Sequence, residues 1–385
     1  MGQGKIMECY DVAIVGGSIA GSVAGKCLAD AGMRTLIVEA AKTPREKPCS
    51  GIQFGYFEKL LGLKIPKDRL CQNELKSLYM EFPNERSFKV PFKMLNFTRD
   101  VFDNWLNEIA IESGAEFRDG VRCTDIKNSN GSYVLTLKPK HQDVEQVLTK
   151  YLIAADGLSS SIRRKIRPED FSRKPLAPTM NYYLKTKGDG DLDPHALYQF
   201  WNLEFNNLMF AWTYKKNDLW VVGTGHTDNL IERCDNLLKY VQKKFKLEGE
   251  IVKREGYAST FKLEAPNHVY LGHGNLMFIG DAAGLVDMYR GLGMDAAALS
   301  GRLVAKAIIK GAENSTPPLT LYEKDMRKII KKINKNSEKQ LLTYKSNDEL
   351  LHALKKSFIK MGLGTLFGNL LNKVRSPNKV KLLPA

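Results

Sequence analysis

The sequence predicts an α/β fold: a parallel sheet wound by helices, an antiparallel sheet inserted into it, and a helical tail. Three stretches lead there. From Tyr10 to Gly25 an apolar run meets a glycine turn and then a helix. Between Met180 and Gly225, Tyr, Trp and Phe concentrate in short alternating segments separated by Gly, Asp and Asn. From Asn275 to Lys310 a strand ends in Gly-Asp and leads through a loop to a long helix.

The first stretch carries the most information. Val12–Val15 has the β-branched apolar character of a buried parallel strand. Gly16 turns the chain, and Gly21 and Gly25 keep the helix of about Ile19–Ala31 close to that strand. The helix dipole and first amides, around Ser18 and Ala20, face whatever anion sits there, usually a pyrophosphate. Ser18 stands where the G-x-G-x-x-G pattern has its second glycine, and adds a hydroxyl. A second strand, Thr35–Val38, ends at Glu39, 23 residues after Gly16 and next to Ala40. A carboxylate there suits a ribose 2′-OH. In this order the elements make a Rossmann-like dinucleotide site.

A polar loop, Lys42–Ile52, then enters a helix near Phe54–Leu61. Leu75–Phe92 alternates as strands with a turn at Pro83-Asn84. Phe102, Leu106, Ile109 and Ala110 share one face of a helix that Arg99-Asp100 opens and Ser113-Gly114 ends. Short strands follow at 116–117, 121–126, 133–138 and 147–148, and Tyr151–Gly157 is a buried strand ending in Asp-Gly. Antiparallel strands are expected at Tyr182–Lys187, Ala196–Asn202, Leu208–Tyr214 and Leu219–Thr224, then a helix at about Ile231–Phe245. The last long helix runs from Met294 to Lys310, where Gly311 stops it, and Pro317-Pro318 punctuates the chain.

The net charge is +15, of which +10 lies after Leu321, where 15 Lys and Arg face 5 Asp and Glu. The body is only mildly basic, and no nucleic-acid partner is expected. No run of about 18 apolar residues suggests a transmembrane helix, and the first apolar run is the opening strand, not a signal peptide. The six cysteines and six histidines are dispersed, which predicts reduced thiols, no metal site and a cytoplasmic protein.

Four separated features act together: the Gly16–Gly25 turn, Arg99 at a helix start, Asp156-Gly157 after a strand, and Gly280-Asp281 before a helix. At these residues the chain resembles the FAD-dependent oxidoreductases of the aromatic-hydroxylase superfamily, from Tyr10 to about Gly311. The resemblance implies that FAD is the cofactor and that Asp281 holds its ribityl chain. It also implies that the helix start near Gly291, Gly293 and Met294 faces the isoalloxazine. Taken singly, Asp156-Gly157 is also compatible with a simple turn, and Arg99 with a solvated helix start.

Two stretches narrow the family. Phe210-Ala211-Trp212-Thr213-Tyr214-Lys215-Lys216, six residues, then Gly223-Thr224-Gly225 is similar to the YxWxFPKx6GxG signature of geranylgeranyl reductases. Lys47-Pro48-Cys49-Ser50-Gly51 looks like that family's PxC(S/G)G loop, whose cysteine sits by flavin and substrate. Phe210 and Tyr214 exchange a hydroxyl relative to the pattern, Lys215 replaces its proline, and Met288-Tyr289-Arg290 replaces a Pro-initiated turn. Tyr198, Phe200, Trp201, Phe210, Trp212, Tyr214 and Trp220 are expected to supply an apolar wall, unless they are core of the inserted sheet. Alternation puts Phe210, Trp212 and Tyr214 on one face. Cys49 is either the reactive thiol or a small buried hydrophobe.

The expected activity is reduction of C=C bonds in prenyl chains of isoprenoid lipids, with NAD(P)H or a ferredoxin as electron donor. The alternatives are a flavin monooxygenase acting on an aromatic or lipid substrate, and a flavoprotein that only docks on acidic lipid. The expected organisation places the FAD-binding domain at 1–74, 99–178 and 269–315. Strands 75–98 and the sheet 179–268 form the substrate domain, and 316–385 is a basic helical tail. Residues 350–385 read as a basic amphipathic segment for an anionic membrane surface, or as a helix packed on the body.

Overall fold

The fold is that of a computed structural model describing residues 7–71, 73–83, 87–208, 210–262, 268–287, 293–337 and 344–355. The chain opens with β1 (Glu8–Val15), α1 (Ile19–Asp30) and β2 (Thr35–Glu39), then β3 (Ile52–Phe54), α2 (Phe57–Leu61) and α3 (Lys67–Leu70). The hairpin β4 (Leu75–Glu81) and β5 (Ser87–Asn96) precedes α4 (Arg99–Glu112). Next come β6 (Glu116–Asp119), β7 (Val121–Ser129), β8 (Ser132–Pro139), β9 (Glu145–Ala154) and α5 (Ser161–Ile166). A second run of strands follows: β10 (Phe171–Thr186), β11 (Ala196–Phe200), β12 (Ala211–Lys216) and β13 (Leu219–Gly225), then α6 (Leu230–Phe245) and β14 (Gly249–Phe261). The chain returns through β15 (Gly272–His273) and β16 (Leu276–Phe278) to α7 (Met294–Asn314) and α8 (Pro318–Ser337).

Two sheets organise these elements. The first runs β15-β16-β9-β1-β2-β6, with β7 and β8 joined to β9. Its neighbours from β16 to β6 are all parallel. Fully buried Val12, Ala13, Ile14, Leu36, Ile37, Leu152 and Ile153 make its centre, as a sheet covered on both faces requires. α1 packs between α7 and α4. The second sheet runs β14-β10-β13-β12-β11-β4-β5-β3 and is antiparallel except where β11 meets β4.

Several elements differ from the sequence expectation. Ile52–Phe54 is a strand of the second sheet, and the helix expected from Phe54 starts at Phe57. β10 starts at Phe171, well before the expected strand, because register shifts between Phe171, Leu176 and Thr179 absorb its prolines. β14 was not expected at all. It is the edge strand, so charged residues such as Glu250, Lys253 and Glu255 are tolerated and mask its strand character. Gly311 does not stop α7. A Cβ there would lie 2.7 Å from Pro318 Cγ, so the glycine admits the close α7–α8 turn, and the helix ends at Ser315 in a left-handed conformation.

The C-terminal region belongs partly to the body. α8 buries Tyr322, Met326 and Ile333 in the main core, and the Tyr322 hydroxyl donates to the Phe278 carbonyl at 3.1 Å. A further helix spans 347–355, with Leu350 and Leu354 buried against Phe82 and Trp201. Leu354, compatible by spacing with either a lipid-facing or a body-packed helix, points inward. Phe358, Met361 and the rest of 356–385 lie outside the described residues.

Candidate functional site

Register brings the first sheet's motifs together. Val15 pairs with both Val38 and Ala154, and Ala154 pairs with Phe278. The residues just beyond these aligned strand ends therefore share one edge of the sheet, where α/β folds bind ligands. A cleft of about 380 Å³ there is lined by Gly16, Glu39, Ala40, Arg45, Asp156 and Asp281. Through Ser18, Lys47, Gly157 and Asp281 it adjoins a space of about 260 Å³ bordered by Ala20, Cys49, Gln53, Arg99 and Met294. A third cavity, about 410 Å³ between Glu81, Asn202 and Tyr240, contains none of these residues.

The turn after β1 is built for close approach. Gly16 has φ +116°, and a Cβ on it would fall 2.3 Å from the Ala155 carbonyl oxygen. A Cβ on Gly21 would fall 1.9 Å from that of Gly16. Ser18, by contrast, has φ −106° and needs no glycine. Its hydroxyl donates to Asp103 Oδ2 at 2.9 Å and accepts from Arg99 Nη2 at 2.9 Å, which accounts for the departure from the glycine pattern. Because that hydroxyl is committed to α4, α1 has no side-chain cap, and its first amides stay open to an anion. This arrangement fits a dinucleotide pyrophosphate.

The acids fit as well. Glu39 accepts from the amides of Gly17 and Ala41, both at 3.0 Å, and lies 3.3 Å from Arg45 Nη2. A carboxylate has roughly four acceptor sites, so it retains room for a ribose hydroxyl. Asp156 Oδ2 caps α5 through the amides of Ser161 (2.8 Å) and Ile162 (3.3 Å), the role of a plain turn aspartate. Its Oδ1 is buried without a partner, and burial raises the carboxyl above its usual range. Asp281 sits 3.8 Å from Lys47 Nζ, and the Gly280 amide donates to Ser300 Oγ at 3.0 Å. Gly293 is the N-cap of α7, while Gly291 lies outside the described residues.

The second sheet supplies the other wall. Lys216 Nζ donates to the Ser50 carbonyl and, at 2.7 Å, to that of Phe97, so β12 holds the Cys49-Ser50-Gly51 loop. Burial lowers this ammonium to about 8. Cys49 Sγ accepts from the Gly51 amide at 3.4 Å and lies 3.9 Å from Met294 Sδ, bridging to α7. Burial pulls on the Arg99 guanidinium, but Asp103 and Cys49 beside it hold its pKa above normal. The Tyr214 hydroxyl is buried without a partner, and burial pushes it well up. Tyr183 donates to Glu255 Oε2 at 2.8 Å, and Lys253 Nζ, 3.6 Å from Glu255, also reaches Glu46 at 2.8 Å. Trp212 Nε1 donates to Asn181 at 2.8 Å.

The expected aromatic wall is divided. Trp212 and Tyr214 join Ile52, Phe54, Leu197 and Val221 in one cluster. Tyr198, Phe200 and Trp220 point to the opposite face and form core with α6. Phe210 precedes β12 and packs on Trp201 at 5.4 Å, beside the C-terminal helix. Sequence reasoning missed Gln53, buried with an unpartnered Oε1 on the inner space, and Tyr257 of β14, which borders both spaces. It also missed Asp103 and Lys216 as site residues. Lys216 was readable as the lysine of the aromatic signature; nothing in the sequence marked Gln53.

The profile of the FAD binding domain family matches residues 9–337. Digeranylgeranylglycerophospholipid reductase 2 of Methanopyrus kandleri is 29% identical over 360 residues, covering 89% of this chain and 88% of that protein. Geranylgeranyl diphosphate reductase of Rhodobacter capsulatus is 26% identical over 319 residues, covering 80% and 77%. Among solved structures, a geranylgeranyl bacteriochlorophyll reductase-like protein from Thermoplasma acidophilum superposes with a TM-score of 0.78 at 23% identity, covering 89% and 90%. The p-nitrophenol 4-monooxygenase of Pseudomonas putida shares the fold with a TM-score of 0.68 at 16% identity, covering 94% and 99%.

Proposed function

The chain belongs to the FAD binding domain family and is an FAD-dependent oxidoreductase, and from that premise we propose that it reduces isolated C=C bonds in prenyl chains. The observation that carries the reading is the junction of a thiol loop with an apolar face. Lys216 ties the Cys49 loop to the strand that presents Trp212 and Tyr214. Relatives named geranylgeranyl and digeranylgeranylglycerophospholipid reductases support the substrate class.

The α1 amides would hold the FAD pyrophosphate, Glu39 the adenosine ribose and Asp281 the ribityl chain. When bound, the flavin supplies hydride to one alkene carbon. Cys49 Sγ–H would give the proton to the other carbon, completing the addition of H2 across the bond. Trp212 and Tyr214 would lie along the chain and keep water from it, and the Lys216 clamp would fix the thiol's position.

The test mixes dithionite-reduced protein with geranylgeranyl phospholipid or diphosphate without oxygen, which removes the need for a natural electron donor. Product heavier by H2 per double bond supports the reductase, and Cys49→Ser should slow it while FAD content stays intact. Untouched alkenes, with oxygen inserted into a substrate in air, would make the protein a monooxygenase.

A further inference from the structure

One buried side chain at the inner space is polar without a partner. Gln53 is 2% exposed, and its Oε1 has nothing within hydrogen-bond reach. It is the middle residue of the short strand β3, and its register partner on β5 is Leu95, which is buried in the main core. An apolar side chain of the same length would fill such a position. A carboxamide buried there unpaired keeps the full penalty of leaving water. Native proteins hold few such atoms, and each one calls for a cause. Because Gln53 borders the inner space, the cause is a group bound in that space.

The polar groups around Gln53 are already committed. In the loop before it, the Gly51 amide donates to Cys49 Sγ at 3.4 Å and the Ile52 amide to Ser50 Oγ at 3.3 Å. The Ser50 carbonyl accepts from Lys216 Nζ, and the Gly51 carbonyl accepts from the Phe97 amide at 3.0 Å. Across the space, Ser18 and Arg99 are engaged with each other and with Asp103. Gln53 therefore brings unspent recognition chemistry to this wall. Its oxygen is an acceptor, and the NH2 on the same planar group is a donor.

FAD offers a match at one edge of its ring. Asp281 borders both spaces and Gln53 the inner one alone, so a ribityl chain at Asp281 leaves the isoalloxazine for Gln53. An orphaned acceptor requires a donor. The oxidised isoalloxazine has a single N–H, at N3, flanked by the C2 and C4 carbonyls. A carboxamide fits that imide with two parallel hydrogen bonds, its oxygen accepting from N3–H and its NH2 donating to a neighbouring carbonyl. A prenyl chain has no N–H or O–H to offer. We propose that Gln53 recognises the imide edge of the flavin and so fixes the orientation of the ring in the inner space. The proposal concerns the cofactor and does not depend on the prenyl substrate.

The experiment compares wild type with Gln53→Met, which keeps the side chain's length and removes its hydrogen bonding. Each full-length protein, stripped of flavin, is titrated with FAD and with 3-methyl-FAD, whose N3 carries a methyl group in place of hydrogen, and flavin fluorescence reports binding. Gln53→Met should bind FAD about tenfold more weakly than wild type, the scale of a hydrogen-bonded pair. Methylation at N3 should cost wild type about as much and cost the variant far less. Infrared difference spectra of the FAD-loaded proteins should show a flavin carbonyl band at higher frequency in the variant, where a donor is lost. The flavin-free variant should melt at or above the wild-type Tm, because an orphaned atom has been removed; a structural glutamine would shift Tm downward. Equal FAD affinity in the two proteins overturns the proposal, as does equal sensitivity of both to N3 methylation, or a lowered Tm of the flavin-free variant. Wild type that leaves alkenes untouched, with these binding results intact, would keep the imide contact and remove the prenyl reading.

Discussion

The two faces of the second sheet are built from similar residues and do opposite things. One face presents Tyr182, Tyr198, Phe200 and Trp220 to α6, which closes over them with Cys234, Leu237 and Val241. The other presents Trp212, Tyr214, Leu197 and Val221 to Ile52 and Phe54 of β3, the strand that follows the Cys49 loop. Polar groups divide less cleanly, since on the site face the Trp212 indole is itself paired, with Asn181 at 2.8 Å, and Ser77 Oγ, in register with Ala196 of the α6 face, has no partner. On the α6 face the Trp220 indole donates to Asp189 at 2.9 Å and the Tyr182 hydroxyl to Asp235 at 2.9 Å. On the site face the Tyr214 hydroxyl and Gln53 Oε1 are buried without partners. A sealed core satisfies its polar atoms because leaving them unmade costs stability. Gln53, orphaned beside the inner space, marks a surface completed by something else.

The comparison breaks most visibly on the sealed side. Trp220→Ala should cost about 3–5 kcal/mol of stability, as large-to-small changes in a full core do. A thermal melt reads it, and an unchanged Tm would mean that α6 does not seal this face.

Lys216 sharpens the boundary between the faces through pH. Its native pKa is lowered to about 8 by burial, against 10.5 for the free side chain. Below the lower value both states hold the proton and the cost of burying the ammonium is fully present. Between the two values the unfolded chain binds more protons than the native one, so this group makes stability rise with pH. Relative to Lys216→Met, wild type should gain up to about 3 kcal/mol across that window, the energy of such a shift. Parallel pH profiles in denaturant titrations of the two proteins would remove the buried cation from the account.

Trp212→Ala tests the open side. It should weaken prenyl-substrate binding by about 2 kcal/mol, the scale of an aromatic contact, and lower Tm far less than Trp220→Ala. Isothermal titration and a melt on the same sample separate the two effects. A larger loss of stability than of affinity would make Trp212 core.

The smallest effect belongs to Tyr214→Phe. Removing a buried hydroxyl that has no partner should leave stability within about 1 kcal/mol of wild type or raise it. If the hydroxyl serves bound flavin or substrate, alkene-dependent flavin reoxidation slows while Tm does not fall. A clear drop in Tm would show that the hydroxyl is satisfied within the protein.

By itself, the sequence determined the nucleotide-binding half of this protein. Gly16, Glu39, Asp156 and Asp281 each follow a short apolar strand, and parallel pairing leaves little freedom in where such strand ends lie. The motifs are local, so the turn, the helix start and the acid are legible within a few residues of one another. The aromatic signature was legible too, but not the direction of its rings. Strand parity puts Trp212 and Tyr214 on one face and Trp220 on the other, and only the placement of α6 decided which face is sealed. Tertiary structure also brought in what local pattern could not. The charged edge strand β14 delivers Tyr257, Asp103 and Arg99 of α4 engage the Ser18 hydroxyl, and Lys216 reaches 166 residues back to the loop carbonyl of Ser50. Those contacts join segments far apart in the chain, and their energy comes from burial and paired charge that exist only once both sheets have formed.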